Sequence, residues 1–118
     1  MLSPGRAYKV SVYLNKDSGA ETNFLHEAVL ALLRERKMAG LTTYLPFAGY
    51  GAHQQLHRQG DGSVAGEHLP ILLVFIDTED RVRSVLPELR TLVTDGLIEM
   101  HPVEIVQHTI HDGRVDGR

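Results

Sequence analysis

The sequence predicts an α+β domain of the ferredoxin-like βαββαβ type, with a four-stranded antiparallel sheet and two helices on one face. Hydrophobic residues follow strand and helix periods in the order β-α-β-loop-β-α-β. The third strand segment is apolar on both sides, as a central strand is. Right-handed crossovers then bring both helices to the same face. A chain of 118 residues is long enough for one domain with its own core, so residues 1–118 are expected to form a single domain.

The first strand and first helix have different periods. Residues 7–14 alternate between apolar and polar side chains, which predicts a half-buried strand. An apolar stripe at helical spacing follows and predicts a helix; it consists of Leu25, Ala28, Val29, Leu32 and Leu33. Basic residues suit the negative end of this helix. Gly40 is expected to end the helix in a left-handed conformation.

Two more strands are predicted before the second helix. Apolar residues alternate over residues 41–48, and Pro46 places this second strand at a sheet edge because proline cannot donate to a ladder. Residues 69–76 form the third strand, with apolar side chains on both faces. One face carries Ile71, Leu73 and Phe75, and the other carries Leu72, Val74 and Ile76.

The second helix is predicted to begin at Asp77 and Thr78, which are favoured N-cap residue types. Its apolar face continues in phase past Pro87, which indicates one kinked helix rather than two. Gly96 is expected to act as its C-cap. The last strand should run over residues 97–108 with an interruption at Pro102, and residues 112–118 should form a frayed tail.

Composition excludes several function classes. The formal net charge of -3 gives no broad attraction to nucleic acid or to an anionic membrane. The chain has no cysteine, which removes disulfides, thiolate metal sites and cysteine nucleophiles. It shows no apolar run long enough to span a bilayer and no signal-peptide pattern. These features predict a cytoplasmic protein that does not bind nucleic acid and does not insert into membranes.

A long polar, glycine-rich loop at residues 49–68 is the strongest candidate for a working segment, because most connections are about 4–6 residues long. Gly49, Tyr50 and Gly51 could bring backbone N–H groups close to a phosphate, and Arg58 could pair with an anion. The alternative is a tight strand exit around a packed tyrosine with a solvated arginine. His53 is the further candidate ligand-binding residue of this loop.

The same loop permits a metal-site hypothesis. His53 and His57 are four residues apart, so a short helix over residues 52–59 would place both imidazoles on one face. Two imidazoles do not complete a site, and a third ligand would have to come from elsewhere. Solvated or hydrogen-bonded histidines are the alternative interpretation.

The predicted sheet leaves one face without helices. The second face of the third strand and the first-strand residues Lys9, Ser11 and Tyr13 would lie there. Monomers usually avoid such an apolar patch, so a closed homo-oligomer is expected. The three polar residues would then form an intersubunit network or line a central cleft.

Several motifs resemble the PII-like family of unknown function, relatives of the trimeric nitrogen-regulatory PII proteins. The resemblance covers about residues 8–108, and its marks include Leu25-His26-Glu27-Ala28-Val29, Ala39-Gly40-Leu41-Thr42, Ala48-Gly49-Tyr50-Gly51-Ala52-His53, Leu69-Pro70, Asp77-Thr78-Glu79 and Pro102-Val103-Glu104. It implies a homotrimer, adenine nucleotide in the clefts between subunits, and a T-loop-like role for residues 49–68 toward a protein partner. Classical PII proteins have a phosphate loop with glycine and lysine before the last strand. Here Thr94-Asp95-Gly96 passes directly into Leu97, so ATP binding in the PII manner is not implied.

Three functional hypotheses follow. The leading one is a non-catalytic regulatory trimer that binds a small anionic metabolite, an adenine nucleotide in particular, and signals through the loop. The second is a divalent-metal-binding trimer resembling the cation-tolerance proteins, with His53 and His57 as ligands. The third is a small histidine-dependent enzyme. No Ser-His-Asp order or paired acids are recognisable, and His101 and His108 do not converge on a nucleophile in the sequence, which disfavours the third.

Overall fold

The computed structural model describes residues 1–14, 20–45, 48–50, 57–58 and 71–111. These residues form six strands and two helices: β1 Gly5–Leu14, α1 Ala20–Glu35, β2 Thr42–Tyr44, β3 Ala48–Gly49, β4 His57–Arg58, β5 Ile71–Asp77, α2 Glu79–Leu92 and β6 Gly96–Ile105. Four of the strands form one sheet in the order β2-β5-β1-β6, with every neighbouring pair antiparallel. β3 and β4 form a separate two-stranded sheet. The predicted ferredoxin-like α+β fold is confirmed, as is the central position of the third predicted strand.

The core lies between the main sheet and both helices. The β1 and β5 residues on the helix-covered side of the ladder, such as Val10 opposite Phe75 and Val12 opposite Leu73, are buried. Against them pack Val29 and Leu33 of α1 and Val82, Val85 and Leu89 of α2. Burying each such side chain contributes about 1.5–3 kcal/mol. The two helices therefore cover the same face of the sheet, as the sequence pattern predicts.

The end of α1 differs from the prediction. Lys37, not Gly40, has the left-handed conformation, with φ of 58°. The Lys37 N–H donates to the Arg34 carbonyl at 3.0 Å, and the Met38 N–H donates to the Leu33 carbonyl at 3.0 Å. These two bonds form a Schellman motif with Lys37 in the position usually taken by glycine. Met38 packs against the core cluster that contains Leu33, and this contact sets the turn three residues before Gly40.

The start and course of α2 agree with the prediction. Thr78 is the N-cap, and its hydroxyl accepts from the Arg81 N–H at 3.4 Å. The helix continues through Pro87 as one element to Leu92.

Gly96 is the first residue of β6 and not a C-cap, because Val93 has that position. A Cβ on Gly96 would lie 2.3 Å from the Tyr13 carbonyl oxygen. The glycine is therefore needed for close approach of two strands.

Both outer strands depart from their predicted bounds. The second strand is confined to Thr42–Tyr44 at the sheet edge, and the predicted continuation to residue 48 is replaced by β3 in the small sheet. The last strand runs without interruption through Pro102 and ends at Ile105 rather than at residue 108. Because β6 is an edge strand, it tolerates a residue that lacks an N–H donor.

Some predicted features lie outside the described residues. They are Pro46, most of the loop at residues 49–68, and the tail at residues 112–118. Among the helices that the structure describes, none has the length and apolar character required to cross a membrane.

Candidate functional site

The face of the main sheet opposite the helices, here called the open face, is where the candidate site lies. The register places Lys9 opposite Ile76, Ser11 opposite Val74 and Tyr13 opposite Leu72, so all six share this face. Tyr13 is 43% exposed, and Leu72, Val74 and Ile76 are only partly buried. No described helix covers these residues. The uncovered apolar face expected from the sequence is therefore present.

The two halves of the open face differ in chemistry. On the side of β5 it is apolar. Along the ladder between β1 and β6 it is polar, because Lys9 faces His101 and Ser11 faces Glu99. Ser11 is 5% exposed although it lies on the uncovered side. An apolar surface beside a row of polar groups can bind a ligand or a second copy of the chain.

A cavity of about 400 Å³ occupies one end of the open face. Its polar lining comes from Lys9, Thr42, Tyr44, Gln107 and His108. Its apolar lining includes Leu2, Leu41, Val74, Ile76 and Ile105, and the turn residues Ala39 and Gly40 complete the wall. Cavities that hold small ligands have volumes of about 300–1,000 Å³ and combine an apolar lining with a few polar groups. This cavity meets both criteria.

The lining residues define the kind of ligand that fits. Lys9 supplies an ammonium group with three N–H donors, which suits a phosphate or carboxylate. Val74 and Ile76 supply an apolar floor for a flat group such as a nucleobase. Thr42 and Gln107 can donate or accept at its edge. The combination is suited to an anion that also carries an apolar, hydrogen-bonding ring.

One wall of the cavity is held in place by a buried carboxylate outside it. Asp77 is 1% exposed and accepts from the Ala39 N–H at 2.9 Å and from the Thr78 N–H at 2.7 Å. It also accepts from Arg81 Nε at 3.3 Å. Arg81 Nη2 donates to the carbonyls of Arg36 and Lys37, which are orphan acceptors at the end of α1. This Asp77–Arg81 clasp fixes the turn from which the cavity wall at Ala39 and Gly40 begins.

The predicted ligand residues lie in a different element. Gly49 and His57 face each other across the β3–β4 pair, as do Ala48 and Arg58. Tyr50 is 63% exposed, whereas Gly51 and His53 lie outside the described residues. Four residue steps separate Tyr44 in the cavity from Ala48, so the β3–β4 pair begins within about 14 Å of the cavity.

The helical spacing argument for a metal site fails. His57 lies in a β-strand, so the helix predicted over residues 52–59 does not include it, and His53 lies outside the described residues. Within the described part of the chain, no group of three or more His, Asp or Glu residues is placed to hold a metal ion. Metal binding by these two histidines stays a prediction.

Only some of the residues that line the cavity have a signal in the sequence. Lys9 was placed on the correct face by strand alternation, and Thr42 belongs to a motif that carries the family resemblance. Tyr44, Gln107 and His108 had no comparable signal. The segment after β6 lines a cavity that also contains β2 residues, and neither strand alternation nor helix periodicity predicts that these two segments share a cavity.

The connection between α2 and β6 bears on phosphate binding. Only residues 93–95 lie between Leu92 and Gly96, which agrees with the short passage seen in the sequence. Three residues are too few for a glycine-rich phosphate loop between these elements. A phosphate bound to this protein needs other partners, and Lys9 is the cationic side chain that lines the cavity.

The strand order and the two helices on one face of the sheet place this protein in the class of ferredoxin-like α+β proteins. The chain belongs to the DUF190 family, described as Uncharacterized ACR, COG1993, whose model matches residues 7–105. A UPF0166 protein from Aquifex aeolicus is 24% identical over 95 residues, which are 80% of this chain and 89% of that protein. The predicted membership in a PII-like family is confirmed.

Solved structures show the same fold at low identity. One is CPII, a nitrogen regulatory PII-like protein from Thiomonas intermedia K12, bound to ADP, AMP and bicarbonate; the TM-score is 0.66 at 15% identity, over 91% of this chain and 94% of that one. Another is the divalent ion tolerance protein CutA1 from Ehrlichia chaffeensis, with a TM-score of 0.53 at 8% identity, over 91% of this chain and 88% of that one. At these identities the likeness concerns the fold alone.

Proposed function

We propose that this chain is the subunit of a non-catalytic, PII-like regulatory trimer that binds an adenine nucleotide or a similar small anion at the open-face cavity. In this proposal a neighbouring subunit completes the cavity as an intersubunit cleft. The loop at residues 49–68 reports occupancy to a protein partner. The observation that carries the proposal is the cavity itself, which combines an apolar floor with Lys9 and polar groups from three parts of the chain.

Assembly is supported by the apolar half of the open face. Tyr13 and Tyr44 are 43% and 52% exposed, and Leu72, Val74 and Ile76 add partly buried apolar surface between them. A monomer would leave this surface in water, whereas a closed symmetric assembly removes it.

Nucleotide as the ligand is supported by the match between lining and ligand. An adenine ring needs an apolar floor and hydrogen-bonding groups at its edge, and a phosphate needs a cation. Val74, Thr42 and Lys9 supply these three features in one cavity. The structure of CPII, which holds ADP and AMP on the same fold, adds support.

The loop at residues 49–68 is included in the proposal because β3, at its start, lies close to the cavity. Gly49, Tyr50, Gly51, His53 and Arg58 remain the predicted ligand contacts from this segment, and β3 begins within about 14 Å of the cavity. A ligand that reaches from the cavity to these residues would order the loop, and a partner would then distinguish the two states.

The ligand test is a thermal-shift titration with AMP, ADP, ATP and cyclic dinucleotides at millimolar concentration, followed by calorimetry of any ligand that stabilises the protein. Loss of a charge-assisted hydrogen bond in Lys9→Gln should weaken binding by about 10- to 100-fold. Arg34→Gln removes one positive charge from an exposed position on α1 and should leave binding unchanged. Absence of stabilisation by every one of these nucleotides would refute the ligand assignment.

The assembly test is the mass in solution by light scattering. The wild-type protein should have three times the mass of one chain, and Val74→Glu should reduce it by placing an acid on the apolar half of the open face. Leu30→Glu is the matched control because Leu30 is 42% exposed on α1, which covers the opposite side of the sheet. A wild-type monomer would contradict the proposal.

The metal hypothesis is tested in the same assay. The divalent ion tolerance protein CutA1 has the same fold, which keeps a metal-binding trimer as the second candidate function. Zinc or copper should then stabilise the wild-type protein, and His57→Ala should abolish the effect. Stabilisation by nucleotides but not by metal would decide against this alternative.

A further inference from the structure

The segment that follows β6 forms part of the wall of the open-face cavity. Ile105 ends β6 at the sheet edge, yet Gln107 and His108 line the same cavity as Thr42 and Val74. Gly5 pairs with Ile105 in the β1–β6 ladder, and Leu2 and His108 keep the same register beyond it, so residues 106–108 continue beside the residues before β1, at the end of the sheet where the cavity lies. The name strap is used here for residues 106–111.

A hydrogen bond joins the strap to the other end of the chain. The Leu2 N–H donates to His108 Nδ1 at 2.8 Å, across 106 residues of sequence. Nδ1 must carry a lone pair to accept this bond, so the imidazole proton is on Nε2. Leu2 and His108 both line the cavity, which places this bond in its wall.

His108 is the least exposed residue of the strap. His108 is partly buried, whereas Val106 and Ile110 are 82% and 56% exposed. Gln107 Nε2 and Thr109 Oγ1 are 3.5 Å apart, which is a local contact within the strap itself. The hydrogen bond from Leu2 to His108 therefore ties the strap to the residues before β1.

We propose that residues 106–111 are a closing strap for the open-face cavity and that the Leu2–His108 hydrogen bond is its latch. With the latch made, Gln107 and His108 complete the wall; with the latch broken, that side of the cavity opens to solvent. Release of a bound ligand requires the strap to move. The statement about release depends on the proposed ligand site, whereas the latch itself does not.

The latch is tested in the full chain by ¹⁵N relaxation of the strap amides. Leu2→Pro removes the donor N–H, and Leu2→Ala keeps it while shortening the same side chain. At the other end, His108→Leu removes the acceptor, and His108→Asn keeps an acceptor oxygen close to the position of Nδ1. Amides 107–109 should be as ordered as β6 in the wild type, Leu2→Ala and His108→Asn, and mobile in Leu2→Pro and His108→Leu. Equal mobility in all five proteins would overturn the latch.

The closing role is tested by the dissociation rate of the nucleotide that binds best among AMP, ADP and ATP. Loss of one hydrogen bond should speed dissociation by about fivefold in Leu2→Pro and His108→Leu, with little change in the two conservative variants. A bound nucleotide that leaves all five proteins at one rate would show that the strap does not close the site. If no nucleotide binds, the proposed function fails, and the relaxation comparison by itself decides for or against the latch.

Discussion

Substitutions at Lys37 and Gly40 show which of the two residues ends α1 in the left-handed conformation. The sequence pattern assigns this role to Gly40, and the structure assigns it to Lys37. Helices are commonly ended by glycine in the left-handed conformation, and Gly40 is the glycine that follows the apolar stripe of α1. In the structure Lys37 has the positive φ, of 58°. Gly40 has no positive φ, and a Cβ built on it meets no atom within 4 Å.

The expected changes in the free energy of unfolding follow from the backbone conformations of Lys37 and Gly40. A non-glycine residue in the left-handed region costs about 1–2 kcal/mol, and glycine costs about 0.5–1 kcal/mol in lost backbone entropy. Lys37→Gly should therefore stabilise the protein by about 0.5–1 kcal/mol. Gly40→Ala should stabilise it by about 0.4–1 kcal/mol, because alanine has fewer unfolded conformations and encounters no clash.

The assay is thermal or urea unfolding at one fixed protein concentration, since assembly would make the midpoint depend on concentration. For 118 residues, 1 kcal/mol corresponds to about 4 °C in Tm. Each single variant should raise Tm by about 2–4 °C, and the double variant by nearly the sum. A Gly40→Ala protein that melts several degrees lower than the wild type, together with a Lys37→Gly protein that is no more stable, would show that the turn is closed at residue 40 and not at Lys37.

Two further substitutions test the buried carboxylate of Asp77 and the close approach of β1 and β6 at Gly96. Asp77→Asn should cost about 2–3 kcal/mol in urea unfolding, because both carboxylate oxygens accept backbone N–H groups and an amide nitrogen would face one of these donors. Asp80→Asn removes the same charge from an exposed position in the first turn of α2 and should cost no more than about 0.5 kcal/mol; equal losses in the two variants would contradict the buried role of Asp77. Gly96→Ala should destabilise the protein by about 1–3 kcal/mol, since its Cβ would meet the Tyr13 carbonyl at 2.3 Å, and a neutral result would mean that β1 and β6 separate at this point without cost.

The sequence was most informative where a regular period could be read. The stripe from Leu25 to Leu33 and the two apolar faces of residues 71–76 predicted a helix and a central strand, because side-chain alternation reports directly which face is buried. From these elements the fold class followed, and with it the uncovered apolar face that contains Val74.

The positions of glycine residues predicted the helix ends less well. Gly40 and Gly96 were each predicted to cap the preceding helix, yet neither has that role. The end of α1 is set by Met38 packing near Leu33 and by Arg81 binding the last carbonyls. Contacts between elements that are more than forty residues apart have no signature in a local pattern.

The same contrast between local sequence patterns and contacts of distant elements holds for the candidate site. Local periodicity in the sequence was enough to predict the order of strands and helices and the apolar side of each element. The presence of a sheet face without helices followed from that order. The positions at which α1, β2 and β6 end depend on contacts in the folded protein and could not be predicted from local patterns. The tertiary structure alone brought Lys9, Thr42 and His108 to one cavity and joined Leu2 to His108, since a meeting of distant side chains depends on the packing of the whole fold and not on the residues between them.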